Sequence, residues 1–194
     1  DGNRVRTYSS EEGDFESCII SNMDQRLPFE VKYPPKEQGA NKWVWDMRRN
    51  GLHCIDDIRL FEGFAGAYVM SGTYQARISI GDAEDIAILT LVADRRFEAG
   101  SQAITEVEQR VDEMTVLMNK LLDGLASIRK SRIQIEALMA DFPEAELLQD
   151  LGRSAVDRLS AWEGKVVQVE YETYEDEDNL PPKLVKQVRH LLDV

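Results

Sequence analysis

The sequence predicts a segregated α+β chain. An antiparallel β-sandwich is expected over residues 1–97, followed by a long antiparallel helical hairpin with a short terminal helix over 98–194. Three observations carry this. Before residue 95, apolar and polar residues alternate singly along several segments, as half-buried strands require. From residue 104, apolar residues recur at steps of three and four: Ile104, Val107, Val111, Met114, Met118, Leu121, Leu125 and Ile128. That is the seam of a long helix with a partner. Gly100 and Ser101 punctuate the change of period, and Ser101 suits an N-cap.

Residues 1–10 suit an opening strand, with Val5 set between Arg4 and Arg6. Residues 11–41 are interrupted by Pro28, Pro34, Pro35 and Gly39, with short strands expected at 15–20 and 29–33. Residues 42–48 read as a strand, with Trp43, Trp45 and Met47 on one face and Val44 and Asp46 on the other. A glycine-bearing loop, with room for one short apolar strand, covers 49–66. Ser71-Gly72 then turns into a strand at 73–80, whose Tyr74, Ala76, Ile78 and Ile80 share a face. Gly81-Asp82 leads to a second strand at 86–92, which completes a hairpin. Gly72 is expected at positive φ. Asn41 and Asp46 are expected to hold turn backbone through their side chains. Tyr74 and Trp45 supply aromatic bulk to the sandwich.

The first helix is expected to run to about residue 140, on the order of 60 Å. Arg132 breaks its seam before Ile135 and Met139 resume it. Gly124 offers a partner a close approach, at about 1 kcal/mol of helix propensity. Asp141-Phe142-Pro143 ends one helix and starts the next. The second seam reads Leu148, Leu151, Ala155, Leu159, Trp162, Val166 and Val169, which carries helix into the β-branched stretch 164–174. Residues 175–179 form an acidic loop, and Asp178 and Asn179 are placed to cap the last helix. That helix starts at Pro182, with Leu184, Val188 and Leu191 on one stripe. Some ten seam residues at about 1.5–3 kcal/mol each demand cover. The hairpin therefore packs back on the sheet or meets a second copy.

The formal charge of −13, from 36 acidic and 23 basic residues, excludes the clustered cations that nucleic acid or an anionic membrane surface requires. A hydrophobic share of 43% is ordinary for a core-forming chain. No apolar run approaches the roughly 20 residues of a membrane span. The opening residues read as a strand rather than a leader, so the chain is expected to be a piece of a longer protein. Cys18 and Cys54 are enough for one disulfide, but their apolar neighbours favour buried free thiols.

Candidate chemistry is sparse. Asp56 and Asp57 adjoin His53 and Cys54, and a solvated loop is the expected reading there. The run 175–179 offers oxygens to calcium but lacks the alternating spacing and glycine of a calcium loop. Ser71 and Ser101 have no histidine partner by pattern, and His190 is expected at the surface. No catalytic residue, metal ligand or cofactor is assigned. Trp43, Trp45 and Trp162 are the rings available to stack on a sugar, with core packing the expected role. Sugar-ring contact is kept as a candidate for Trp43 and Trp45.

Several segments together resemble one family: Asp1-Gly-Asn-Arg-Val-Arg-Thr-Tyr-Ser9, Gly39-Ala-Asn-Lys-Trp-Val-Trp-Asp-Met-Arg48, Ser71-Gly-Thr-Tyr-Gln-Ala-Arg-Ile78, Asp94-Arg-Arg96 and Asp178-Asn-Leu-Pro-Pro-Lys-Leu184. Their order is similar to the C-terminal region of bacterial BNR-repeat, sortilin-like β-propeller proteins, often labelled glycosyl hydrolases. Arg95 stands where that family usually has proline, which leaves the junction less rigid. The resemblance implies an Ig-like domain of the flagellar hook-capping type followed by a helical segment. It implies an extracytoplasmic, non-catalytic accessory region, whose partners are an upstream propeller, a second copy through the helices, or a glycan. Any sugar cleavage would belong to the propeller, so no catalytic residue is carried over. A carbohydrate-binding module is the alternative, and an independent hydrolase a weaker one.

Overall fold

The computed structural model describes residues 2–11, 33–58, 60, 63–94, 96, 101–171 and 175–192. They form a mixed α/β protein with one two-stranded antiparallel sheet, three helices and a single helical turn. In chain order these are β1 (Gly72–Ile80), β2 (Ala83–Leu91), α1 (Ser101–Asp141), α2 (Glu146–Val166), the turn α3 (Asp176–Asn179) and α4 (Leu184–Leu191). The expected strand at 15–20, Cys18, and all of the expected strand at 29–33 except Tyr33 lie outside the described residues.

The expected hairpin is present. β1 and β2 pair without a bulge from Gly72↔Leu91 to Ile80↔Ala83. Gly81, at φ +57°, takes the left-handed conformation that a two-residue turn needs. Gly72 is part of β1 and not among the positive-φ glycines: the turn that demands such a residue sits between the strands, not before them.

The segment 42–48 corrects its expectation. It joins no ladder; its backbone meets the chain at an isolated bridge, Arg48↔Tyr68, beside which the Val69 N–H donates to the Met47 carbonyl at 2.8 Å. The cause is local. Met47 sits at φ +58°, and Asp46 Oδ1 accepts the Arg48 N–H at 3.1 Å. That side-chain turn breaks the pleat. Asn41 acts as expected and donates Nδ2 to the Glu37 carbonyl at 2.8 Å. Residues 2–9 likewise run without regular strand structure. The Val5 carbonyl accepts the Asn50 N–H at 3.0 Å.

The core is shared by segments on both sides of residue 97. Leu52, Ile55, Ile58, Leu60 and Ala67 pack with Val111, Met118, Leu122 and Leu125 of α1. Val166, Val167, Val185 and Leu192 complete the cluster. The loop 49–66 is thus a main source of buried apolar area, without forming a strand.

α1 begins at Ser101 itself, so Ser101 is the first helical residue and not a residue outside the helix. α2 contacts α1 at two places: Gln149 Nε2 donates to the Met139 carbonyl at 2.7 Å, and Glu163 meets Arg129 and Arg132. Gly152 is what permits the first approach, since a Cβ there would overlap the Met139 thioether. Gly124, by contrast, faces open space.

The helical stripes are rotated from their expected phase. On α1, Val111, Met118 and Leu125 are buried as the seam predicts, but Leu122 is fully buried whereas Leu121 is only half-buried. On α2, Gly152, Glu163 and Val166 face inward, while Leu151 and Trp162 are exposed. On α4, Val185 and Arg189 are buried, as is Leu192 just past its end, and Leu184 and Leu191 are exposed. In each α2 and α4 stripe a charged residue holds an inward place, so apolar spacing alone misreads the phase. Helix α2 also ends at Val166, with residues 168–171 non-helical. Gly164 and the β-branched run after it win over the continued seam. The acidic residues 176–179 form the turn α3, and Asn179 donates Nδ2 to the Glu175 carbonyl at 2.9 Å. Residue 183, not Asp178 or Asn179, caps α4, and makes no side-chain cap bond.

Candidate interaction surface

Charged side chains fasten the loop 49–66 to the helices. Arg49 reaches Asp112 at 2.8 Å and Glu108 at 3.1 Å, both on α1. His53 lies 2.7 Å from Asp123, and its backbone N–H donates to Asn119 Oδ1 at 2.9 Å. Arg129 donates Nε to Glu163 at 2.7 Å and Nη1 to the Asp56 carbonyl. Arg132 donates to the other Glu163 oxygen at 2.7 Å. One buried carboxylate therefore ties loop, α1 and α2 together. From α4, the fully buried Arg189 donates Nε to the Gly63 carbonyl at 2.9 Å. A carboxylate or guanidinium is retained inside a protein only when paired in this way.

This scaffold supports the aromatic segment 42–48. Trp45 packs edge-on against Tyr74 at 5.6 Å and donates its indole N–H to the Arg48 carbonyl at 3.0 Å. Trp43 packs edge-on against Tyr8 at 5.1 Å. The Tyr8 phenol donates to Asp46 at 3.1 Å, beneath the Arg6 guanidinium. Tyr74 donates its phenol to the Met70 carbonyl at 2.6 Å. Both tryptophans are half-buried and engaged with neighbouring rings, so they anchor the segment to β1 and to residues 2–9.

Burial raises the Tyr8 pKa, with Asp46 adding to the rise against the opposing Arg6. Burial also raises Tyr74, and Glu108 adds to it. The folded state favours the neutral phenol in both cases. Its contribution is present below the unfolded pKa of about 10 and is lost as pH rises through the higher folded value. Titration at 295 nm is expected to show a late fraction, from Tyr8 and Tyr74, in native protein. That fraction merges with the rest in denaturant. Coincident native and denatured curves would count against these environments.

The seam residues divide by exposure. Val111, Met118 and Leu125 are buried. Ile104, Met114, Leu121, Ile128, Leu148 and Leu159 are half-buried, and Val107, Leu151 and Trp162 are exposed. Sequence reasoning missed Leu122, Glu163 and Arg189. The legible signal for the charged pair was Arg132 interrupting the seam. Asp94 and Arg96, from the motif at the junction, pair with each other, and the guanidinium holds the Asp94 carboxyl below its usual range.

Among the described residues, the ribbon of β1 and β2 carries several exposed apolar side chains. Tyr74, Ala76, Ile78 and Ile80 share a face with Ala83, Asp85, Ala87 and Leu89, so one carboxylate, opposite Ile78, interrupts an otherwise apolar set. Ile80 is 77% exposed and Ile78 64%. Ile86 and Ile88 line the opposite face and are also exposed. Among the described residues, no group of three or more His, Cys, Asp or Glu side chains is placed to hold a metal, and no helix is long and apolar enough to cross a membrane. Cys54 is disulfide-bonded, which overturns the free-thiol expectation for it. An apolar sequence context does not distinguish a buried thiol from a buried half-cystine.

Comparison of the chain with family models, with curated proteins and with solved structures finds no match.

Proposed function

We propose that this chain is a non-catalytic accessory and protein-interaction region of a larger extracytoplasmic β-propeller protein of glycosyl hydrolase type. In this reading the β-part is of Ig-like sandwich type, and α1 with α2 forms a long helical hairpin that braces it. One observation carries the reading: Ile78, Ile80 and Leu89 stand exposed on one ribbon face, with the single carboxylate Asp85 among them, on a base fastened by ion pairs to the buried Glu163. A rigid base limits the entropy lost when a partner docks. The upstream propeller is the proposed occupant of that face. The disulfide at Cys54 supports an oxidising, extracytoplasmic location.

The test pairs two measurements on the purified chain. Mixed with the propeller encoded in the same reading frame, it is expected to co-elute in size-exclusion chromatography. Ile78→Asp with Ile80→Asp, both at exposed positions, is expected to abolish co-elution while leaving the far-UV circular dichroism unchanged. Incubated alone with a panel of glycosides, the chain is expected to release no sugar. Turnover, or independent elution of the two proteins, would sink the proposal.

A further inference from the structure

We propose that the edge of β2 away from β1, which no strand among the described residues pairs with, pairs with β2 of a second copy, antiparallel about a two-fold axis at Ala87, to build a four-stranded sheet. This names a partner beyond the propeller, and the edge it uses leaves the apolar face described above available.

The backbone geometry selects the edge. Ile80 and Ala83 flank the two-residue turn as partners, so they form a hydrogen-bonded pair. The backbone groups of alternate residues from Ala83 to Leu91 therefore point to β1, and those of Glu84, Ile86, Ile88 and Thr90 point away. The Ile86 N–H agrees: it donates to Asp85 Oδ1 at 2.9 Å and not to β1, a bond to its own neighbour that gives way to the Ile88 carbonyl of the second copy on pairing. A two-stranded ribbon is marginal alone in water, and a long edge strand without charge or proline is a template for another. From Ile86 to Leu91, β2 carries neither. β1 differs, because the central outward positions of its edge are Gln75 and Arg77, and Arg77 lies 3.6 Å from Glu84.

Charge and side-chain pairing select the register. Only the register centred on Ala87 keeps all nine residues of β2 paired. It sets Ile86 opposite Ile88 of the second copy in hydrogen-bonded pairs, which gathers four exposed isoleucine side chains on one face. It sets Glu84 opposite Thr90 and Asp85 opposite Leu89. No like charges are directly opposed, although each chain carries −13. Shifting the two-fold by one residue toward the turn would bring Asp85 to Ala87 and leave two residues unpaired.

Sedimentation equilibrium of the chain is expected to show the mass of two chains with rising concentration, against 22.1 kDa for one. Ile88→Lys, at a position 65% exposed, is expected to give the single-chain mass at every concentration with unchanged circular dichroism. Ala87→Cys places thiols across the axis and is expected to yield a covalent dimer under mild oxidation. Ser79→Cys, equally exposed on β1, is expected to remain unlinked. A single-chain mass for the unsubstituted protein overturns the proposal, as does equal linking by Ser79→Cys. A dimer that survives Ile88→Lys while Ala87→Cys stays unlinked also overturns it. That last result assigns the second copy to the helices and leaves the propeller reading untouched.

Discussion

Replacing Glu163 with alanine is expected to lower the free energy of unfolding by about 3 kcal/mol. Glu163 is 3% exposed and accepts from two arginines on α1. Removing one partner of a buried pair costs about 3–5 kcal/mol, because the remaining charge is left uncompensated. The lower end applies because the Arg129 and Arg132 side chains keep some contact with water. Against a total of about 5–15 kcal/mol for a domain, this is a large fraction. Arg129 also holds the Asp56 carbonyl, so the loop 49–58 loses its alignment as well. Urea denaturation measures the effect. Glu163→Gln, which keeps an acceptor and the shape, is expected to fall between the two. A loss of less than about 1 kcal/mol for the alanine variant would show that the pair is not the fastening it is taken to be.

Leu122→Ala is expected to cost about 2–5 kcal/mol, as removal of a fully enclosed leucine does. Its side chain is 0% exposed and lies in the cluster with Ile58, Val166 and Val185. The adjacent Leu121→Ala is expected to cost less, since that residue is only half-buried. Leu117→Ala, at a position 61% exposed, is expected within about 0.5 kcal/mol of the parent. Midpoints at constant denaturant slope give the ranking. The reverse order, with Leu121 above Leu122, would restore the helix phase that apolar spacing predicts.

The contrast between Leu121 and Leu122 shows how far periodicity reads. A three-four pattern reports that a face is apolar, and Val111, Met118 and Leu125 follow it. It cannot report where one stripe passes from one neighbour to another. α1 meets the loop 49–66 from Glu108 to Arg129 and α2 from Arg129 to Met139, so different neighbours draw on it along its length. On α2 and α4 the inward places of Glu163 and Arg189 are hidden altogether, because a charge looks like surface until its partner is known. The loop itself was under-read for a related reason. Leu52, Ile55 and Ile58 are three apolar residues at steps of three, too few for a helix and wrongly spaced for a strand. Only their common enclosure by α1 and α4 gives them a role.

By itself, the sequence determined the hairpin of β1 and β2, the long helix through residue 141, the turn at Phe142-Pro143 and the last short helix. These follow from local causes: alternation, a glycine in a two-residue turn, helical spacing and proline placement. Only the tertiary structure decided which helix faces are inside and how the loop 49–66 is enclosed. Those outcomes depend on pairings between residues far apart in the chain, such as Arg129 with Glu163 and Arg189 with Gly63. Partners at that distance leave no period in the sequence, and burial of a charge becomes favourable only once both have arrived.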